Sequence, residues 1–321
     1  MTPLSTVLCA TDLSGPSLRA VDRGLRIAHE SGAACVVAHA MGFDPMRPIQ
    51  ALLGARGEEL AHRAIERQRA ALERLLGDPT RSRGTAAQVR VEPGLPAEVV
   101  PALAVTLDAD LVVAGAHGHG FVQRVLLGST SSSLLRKSPC PVLVVKEPAR
   151  SAYRRMLVAV DFSPGSVATV RWARRLAPGA ALTLLHVFDV PFEGMLHLAG
   201  LPDDVVERYR IDERARSLQR MRELATEAQL GPGDHTSVVL HGNATRTILS
   251  EARRHGCDLV VMGKHGTHVT EDLLLGSVTQ RVLAESTHDV LVVVDRRRRE
   301  ESTVTGGTAA TPQPDQALGI R

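Results

Sequence analysis

Apolar residues along the chain fall into short runs separated by stretches of helical periodicity, and the whole alternation occurs twice. In the first half the runs predict strands at Thr6–Thr11, Ala34–Ala40, Gln88–Glu92, Asp110–Gly115 and Pro141–Lys146. Between them, Ser17–Ser31, Glu58–Leu76, Pro96–Leu107 and Gly128–Lys137 space their apolar residues as a half-buried helix does. The second half repeats the order, with strands at Arg155–Asp161, Ala181–Phe188, Thr236–Leu240, Asp258–Gly263 and Val290–Asp295. Its helices are Ser166–Leu176, Asp203–Gln229, Thr245–His255 and Ser277–Glu285. Strands alternating with helices imply right-handed crossovers, hence an α/β chain of two tandem, doubly wound, Rossmann-like parallel sheets of five strands each.

Composition fits this plan. With 44% hydrophobic but only 2% aromatic residues, the cores must be built from Val, Leu, Ala and Ile, which suits buried parallel strands. The expected domains are residues 1–148 and 153–295, joined by a short Pro-containing linker. Residues 296–321, charged and then Thr/Gly/Ala/Pro-rich, are expected to form a disordered tail. A net charge of +3 with no basic stripe in either half argues against a nucleic-acid partner, and Arg296–Arg299 reads as a solvated terminus. Cys9, Cys35, Cys140 and Cys257 form no CxxC pair and read as small core residues of a reducing compartment. With no charged-then-apolar leader and no run near 18 apolar residues, the expectation is a cytoplasmic chain with no membrane segment.

The candidate chemistry lies in a repeated glycine pattern. Gly115-x2-Gly118-x9-Gly128-Ser129 recurs as Gly263-x2-Gly266-x9-Gly276-Ser277, 148 residues later. Each copy starts where an apolar strand ends and runs into a helix, a place where backbone N–H groups converge on a phosphate. If the first and fourth strands flank the switch point of each sheet, Asp12 faces Gly115 and Asp161 faces Gly263 across one crevice. The plainer alternative is that these glycines only permit tight strand-to-helix turns. No GxxxxGK[ST] loop or GxSxG elbow is present, and no general base beyond Asp12 or Asp161 suggests itself, so any hydrolysis of a bound phosphate compound is expected to be slow. His117-x-His119 and His265-x2-His268 admit a metal reading, but lining a phosphate site or facing solvent is preferred, and no metal ligand is assigned. His39 and His186, closing buried strands, read as hydrogen-bonded core residues; the apolar stretch Val190–Leu201 admits a lid or a patch for an apolar ligand, but a loop packed on its own domain or the neighbouring half is preferred.

Together these residues resemble the universal stress proteins, in particular the ATP-binding branch with its G-2x-G-9x-G-[S/T] signature. The resemblance spans about residues 4–146 and 155–295, supported by Asp12, Asp161 and the Pro139–Val145 segment. It implies a strand order 3-2-1-4-5 in each half, of the adenine nucleotide alpha hydrolase-like kind, and adenine-nucleotide binding, with ATP and Mg²⁺ as cofactors. By the same resemblance, Asp12 and Asp161 lie near the ribose, and the backbone at Ala40 and Val187 meets adenine. Gly115, Gly118, Gly128, Ser129 and Thr130 hold phosphates and ribose in one half, and Gly263, Gly266, Gly276, Ser277 and Val278 in the other. The implied assembly is an internal pseudo-dimer through strands 141–146 and 290–295, able to pair again as a homodimer and to engage a regulatory protein partner. Arg124 stands where family members often carry a basic residue, whereas the second half has Glu271-Asp272, so Lys264 is expected to offset part of their repulsion of phosphate. The function so implied is a cytosolic ATP-binding stress-response module. The alternatives are a slow ATPase, or a scaffold that keeps the fold and binds no nucleotide.

Overall fold

The computed structural model describes residues 2–41, 55–116, 128–189, 203–266 and 275–294. The first half contributes strands β1 (Thr6–Thr11), β2 (Ala34–Ala40), β3 (Ala87–Glu92), β4 (Leu111–Gly115) and β5 (Val142–Val145). The second contributes β6 (Arg155–Ala159), β7 (Ala181–Phe188), β8 (His235–His241), β9 (Leu259–Gly263) and β10 (Asp289–Val293). Helices α1 (Gly15–Ser31), α2 (Ala55–Leu76), α3 (Pro79–Ser82), α4 (Pro96–Thr106) and α5 (Ser129–Lys137) belong to the first half. Helices α6 (Gly165–Leu176), α7 (Asp203–Glu227), α8 (Ala244–Arg254) and α9 (Ser277–Glu285) belong to the second.

Each half has the expected order 3-2-1-4-5, and the two merge into one ten-stranded sheet, β3-β2-β1-β4-β5-β10-β9-β6-β7-β8. Pairing within each half is parallel, and the seam alone is antiparallel, with Val144 opposite Val290, Leu143 opposite Leu291 and Val142 opposite Val292. These six side chains are fully buried. Left unpaired, β5 and β10 would be apolar sheet edges, the kind that aggregate. Because strand side chains alternate, the sheet carries a core on each face, and both cores run unbroken across the seam. One packs under α1, α6 and α7 through residues such as Leu25, Val170 and Met221, and the other under α4, α5, α8 and α9 through Val100, Leu134, Ile248 and Val282. All four cysteines are buried and none forms a disulfide.

Local sequence explains the helix ends. Ser14 caps α1 by accepting from the Ser17 N–H, and Gly32, at φ 70°, closes it in the left-handed conformation that costs glycine nothing. Helix α3 is an addition to the expected set: Asp78 accepts from the Thr80 N–H and Pro79 stands at the first helical position, an arrangement suited to starting a helix.

The seam is also locked by buried polar groups. Asp289, 1% exposed, accepts from the Lys146 N–H at 2.8 Å, the Glu147 N–H at 3.1 Å and the Tyr153 hydroxyl at 2.6 Å. Arg23 Nε stands 3.3 Å from the same carboxylate, and its guanidinium lies over the Tyr153 ring at 4.2 Å. Burial, reinforced by this carboxylate, keeps the Tyr153 phenol protonated well above its ordinary range. A second tie joins Arg175 of α6 to Asp110 at 2.8 Å, where Asp110 also accepts from the Ser5 hydroxyl at 2.6 Å and its N–H at 2.7 Å. Burial alone would raise Asp110, but the Ser5 hydrogen bonds and the Arg175 guanidinium outweigh it and hold the carboxyl below its usual value.

Two stability outcomes follow from these ties. Asp289→Ala strands a buried guanidinium and several donors, so urea unfolding at pH 7 should show a loss of about 3–5 kcal/mol; a loss under about 1 kcal/mol would contradict the lock. Asp110→Asn should cost about 1–3 kcal/mol at pH 7. A depressed folded pKa makes that contribution complete above about pH 4 and lost as pH falls through the folded value. The gap between the variant and the native chain should therefore close in acid and stay constant from pH 5 to 8.

Candidate functional site

Strand order reverses between β1 and β4 in one half and between β6 and β9 in the other, and a cleft opens at the carboxyl end of each reversal. Asp12, Ala40, Gly115, Gly128, Ser129 and Thr130 all line the first cleft, of about 150 Å³. Asp161, Val187, Gly263, Gly266, Gly276, Ser277 and Val278 all line the second, of about 310 Å³. The second volume reaches the range of small-molecule sites, roughly 300–1,000 Å³. Gly118, Arg124, His117, His119, His268, Glu271, Asp272, the Val190–Leu201 stretch and the tail from 296 lie outside the described residues.

The turn after the first strand of each half fixes its aspartate. Asp12 Oδ1 accepts from the Ser14 N–H at 3.0 Å, and Asp161 Oδ1 accepts from the Ser163 N–H at 3.0 Å and the Ser166 hydroxyl at 3.1 Å. The next residue, Leu13 in one half and Phe162 in the other, holds φ at 64° and 58°. A bulky side chain in the left-handed region costs on the order of 1–3 kcal/mol, and such strain gathers at functional turns. Phe162 is held by stacking on His186, ring centroids 4.2 Å apart, and by the Arg220 guanidinium at 4.4 Å from its ring. His39 and His186 each donate from Nδ1 to the carbonyl of a first-strand residue, Thr11 and Val160, at 2.9 Å. Burial lowers the His186 pKa, which suits a neutral ring with its proton on Nδ1. Both are half-buried and hydrogen-bonded, rather than the core residues their strand-end positions suggest.

The motif glycines do two different jobs. A Cβ on Gly115 would come within 2.9 Å of the Pro16 carbonyl oxygen, and one on Gly266 within 2.9 Å of Asp161 Oδ2, so these positions permit close approach within the protein. Gly276 is different. Its φ of −55° and ψ of 142° suit any residue, and a Cβ there would meet nothing closer than 3.5 Å. Gly128 has the same extended conformation at the start of α5. Neither helix has a side-chain cap, so the first N–H groups of α5 and α9 are left facing the clefts over a spot with no side chain. The glycines themselves are held by Gly128 N–H to the Ala116 carbonyl and Gly276 N–H to the Lys264 carbonyl, both at 3.0 Å.

Two lining residues were not singled out from sequence. Ser131 Oγ donates to the Gly115 carbonyl at 2.7 Å and Thr279 Oγ1 to the Gly263 carbonyl at 3.0 Å, bolting the helix start to the strand end in both halves. The signal was a hydroxyl three residues after the third motif glycine in each copy. Lys264 is only 4% exposed, and its ammonium donates to the Arg136 carbonyl of the other half at 2.7 Å, an interdomain contact that its loop position did not suggest. Each cleft has an apolar wall, Ala10, Ala38 and Val100 in the first and Leu185, Val187, Ile248 and Met262 in the second. Among the described residues no three potential metal ligands come together, and no helix is long and apolar enough to cross a membrane.

Comparison with known proteins agrees with this architecture. The profile of the universal stress protein family matches twice, over residues 3–146 and 152–294. A universal stress protein of Mycolicibacterium smegmatis is 29% identical over 262 residues, covering 78% of this chain and 83% of its own. One from Mycobacterium tuberculosis is 32% identical over 240 residues, covering 72% of each chain. The crystal structure of a universal stress protein from Archaeoglobus fulgidus superposes with a TM-score of 0.64 at 20% identity, covering 91% of this chain and 98% of that one, a likeness of fold. Two complete family matches in one chain, on two copies of one strand order, mean that the protein belongs to the universal stress protein family as a tandem member.

Proposed function

We propose that each half binds an adenine nucleotide, and that the chain works as a nucleotide-dependent regulatory module. The observation that carries this reading is Gly276, a glycine that neither the backbone conformation nor the surrounding packing requires. A missing side chain over an uncapped helix start suits a phosphate resting on the N–H groups of Ser277 and Val278, where the helix dipole favours negative charge. The same reading places the base on the apolar wall beside Val187 and the ribose near Asp161, with Gly128, Ser129, Thr130, Ala40 and Asp12 as counterparts in the first half. Asp161 is the one carboxylate among the described residues that line the second cleft, and a Mg²⁺ accompanying ATP would be shared between phosphate oxygens, water and carboxylates of this kind. The turn bonds of Asp12 and Asp161 favour positioning over proton abstraction, which supports binding rather than hydrolysis. Regulation then follows from population shift: the bound nucleotide favours one arrangement of the cleft, and a partner protein reads that arrangement.

The test is calorimetric titration of the nucleotide-stripped, full-length chain with Mg-ATP, with cAMP as a comparison arm. Saturable ATP binding is expected, with the second-half site lost in Gly276→Val and the first-half site lost in Gly128→Val. Both variants should keep their circular dichroism and lose no more than about 1 kcal/mol of stability, because valine is allowed at these extended positions and is only a poorer cap than glycine. A folded native chain that takes up neither nucleotide would overturn the reading and leave an interaction scaffold.

A further inference from the structure

Strands in the two halves run in opposite directions, because they meet through the antiparallel β5–β10 pair. The two clefts therefore open at opposite edges of the one sheet. Helices in such folds return against the strands, so the last helix of each half starts at its own cleft and ends at the edge where the other cleft opens. Helix α5 starts with Gly128, Ser129 and Thr130 in the first cleft and ends, nine residues on and about 13 Å away, beside the loop of the second.

Lys264 occupies that meeting point. It lies between Gly263 and His265, both of which line the second cleft, and its carbonyl accepts the N–H of the glycine that starts α9. Its ammonium donates to Arg136 O, one of the carbonyls a helix end leaves without an intrahelical partner, where a cation also complements the dipole. The opposite connection exists too. Lys146, at the end of β5, donates to Leu283 O at 2.6 Å and to Ser286 O, at the end of the α9 that starts in the second cleft. The two lysines are not equivalent in the repeat: the first-half counterpart of Lys264 is Ala116 and the second-half counterpart of Lys146 is Val294. The cross-brace thus belongs to the tandem chain rather than to either repeat.

We propose that Lys264 is a positioning residue for both sites, and that through it a phosphate bound at the start of α5 tightens binding in the second cleft. This rests on the nucleotide reading above. A phosphate at the start of α5 holds that helix in its docked position and adds to its polarisation, which makes the Arg136 carbonyl a better acceptor for the lysine. The lysine in turn fixes residues 263–266 and, through its own carbonyl, the start of α9. Filling the second cleft first gives the same gain at the first, as linkage requires.

The experiment is titration of the full-length chain with Mg-ATP, comparing the native protein with Lys264→Met and Lys264→Arg, with melting temperatures followed alongside. The native chain should bind two nucleotides with positive cooperativity, the second about five-fold tighter than its affinity when the first cleft is blocked by Gly128→Val. Lys264→Met should bind two nucleotides independently, and Lys264→Arg, which keeps a cation on the carbonyl, should restore cooperativity. A loss of stability common to both variants would not reproduce that difference. Two independent sites in the native chain, or cooperativity that survives in Lys264→Met, would overturn the coupling and leave the nucleotide reading standing; a single occupied site would overturn the coupling and confine that reading to one half. Absence of any binding would remove both.

Discussion

The antiparallel pairing of β5 with β10 is the constraint on which the rest of the molecule depends. Two short runs, Val142–Val145 and Asp289–Val293, are buried along their whole length and would each be an exposed apolar edge if the halves parted. Joining them merges two sheets into one, carries the cores on both faces across the seam, and reverses the strand direction between halves. The reversal sends the two clefts to opposite edges. It also brings the last helix of each half to the mouth of the other cleft, where Lys264 and Lys146 meet helix ends. Asp289 holds this arrangement by gathering Lys146, Glu147, Tyr153 and Arg23 onto one buried carboxylate. Such a group adds modest net stability because its desolvation offsets much of its attraction, but it disfavours any other register of the seam.

Within each half the site arises from the ordinary needs of a doubly wound sheet, modified at a few places. Any such sheet has a crevice at its switch point and helix starts that leave N–H groups open. What is added here is a non-glycine residue held at positive φ directly after each aspartate, and a glycine in extended conformation at each uncapped helix start, which in the second half no packing requires. The strained turn costs stability and the helix start leaves N–H groups open toward the cleft, and together they point to a ligand. The halves differ in their walls: Ala38, Ala114 and Val100 in the first become Leu185, Met262 and Ile248 in the second.

Much of this was legible in the chain itself, for physical reasons that vary by element. The strands could be placed within one or two residues because parallel strands buried on both faces read as continuous apolar runs between turn residues. Strand order and the seam came from resemblance, since periodicity says nothing of which strands pair. The short helix α3 was missed although its Asp78-Pro79 start was visible, because four residues carry no periodicity. The contact of Lys264 with Arg136 was not legible, because the sheet reversal that brings Arg136 within reach is a tertiary fact. Likewise, nothing local distinguishes Gly115, where a Cβ would collide with the backbone of α1, from Gly276, where one would fit. That distinction required coordinates, and it is what turns a glycine pattern into a binding hypothesis.

The most direct test is a crystal structure of the full-length chain grown with Mg²⁺ and a non-hydrolysable ATP analogue. Phosphate density within hydrogen-bonding distance of the Ser277 and Val278 N–H groups, with the base against the Val187 backbone and a matching arrangement over Ser129 and Thr130, is the expected result. Clefts that remain filled only by water at saturating analogue, or a nucleotide seated elsewhere on the chain, would contradict it.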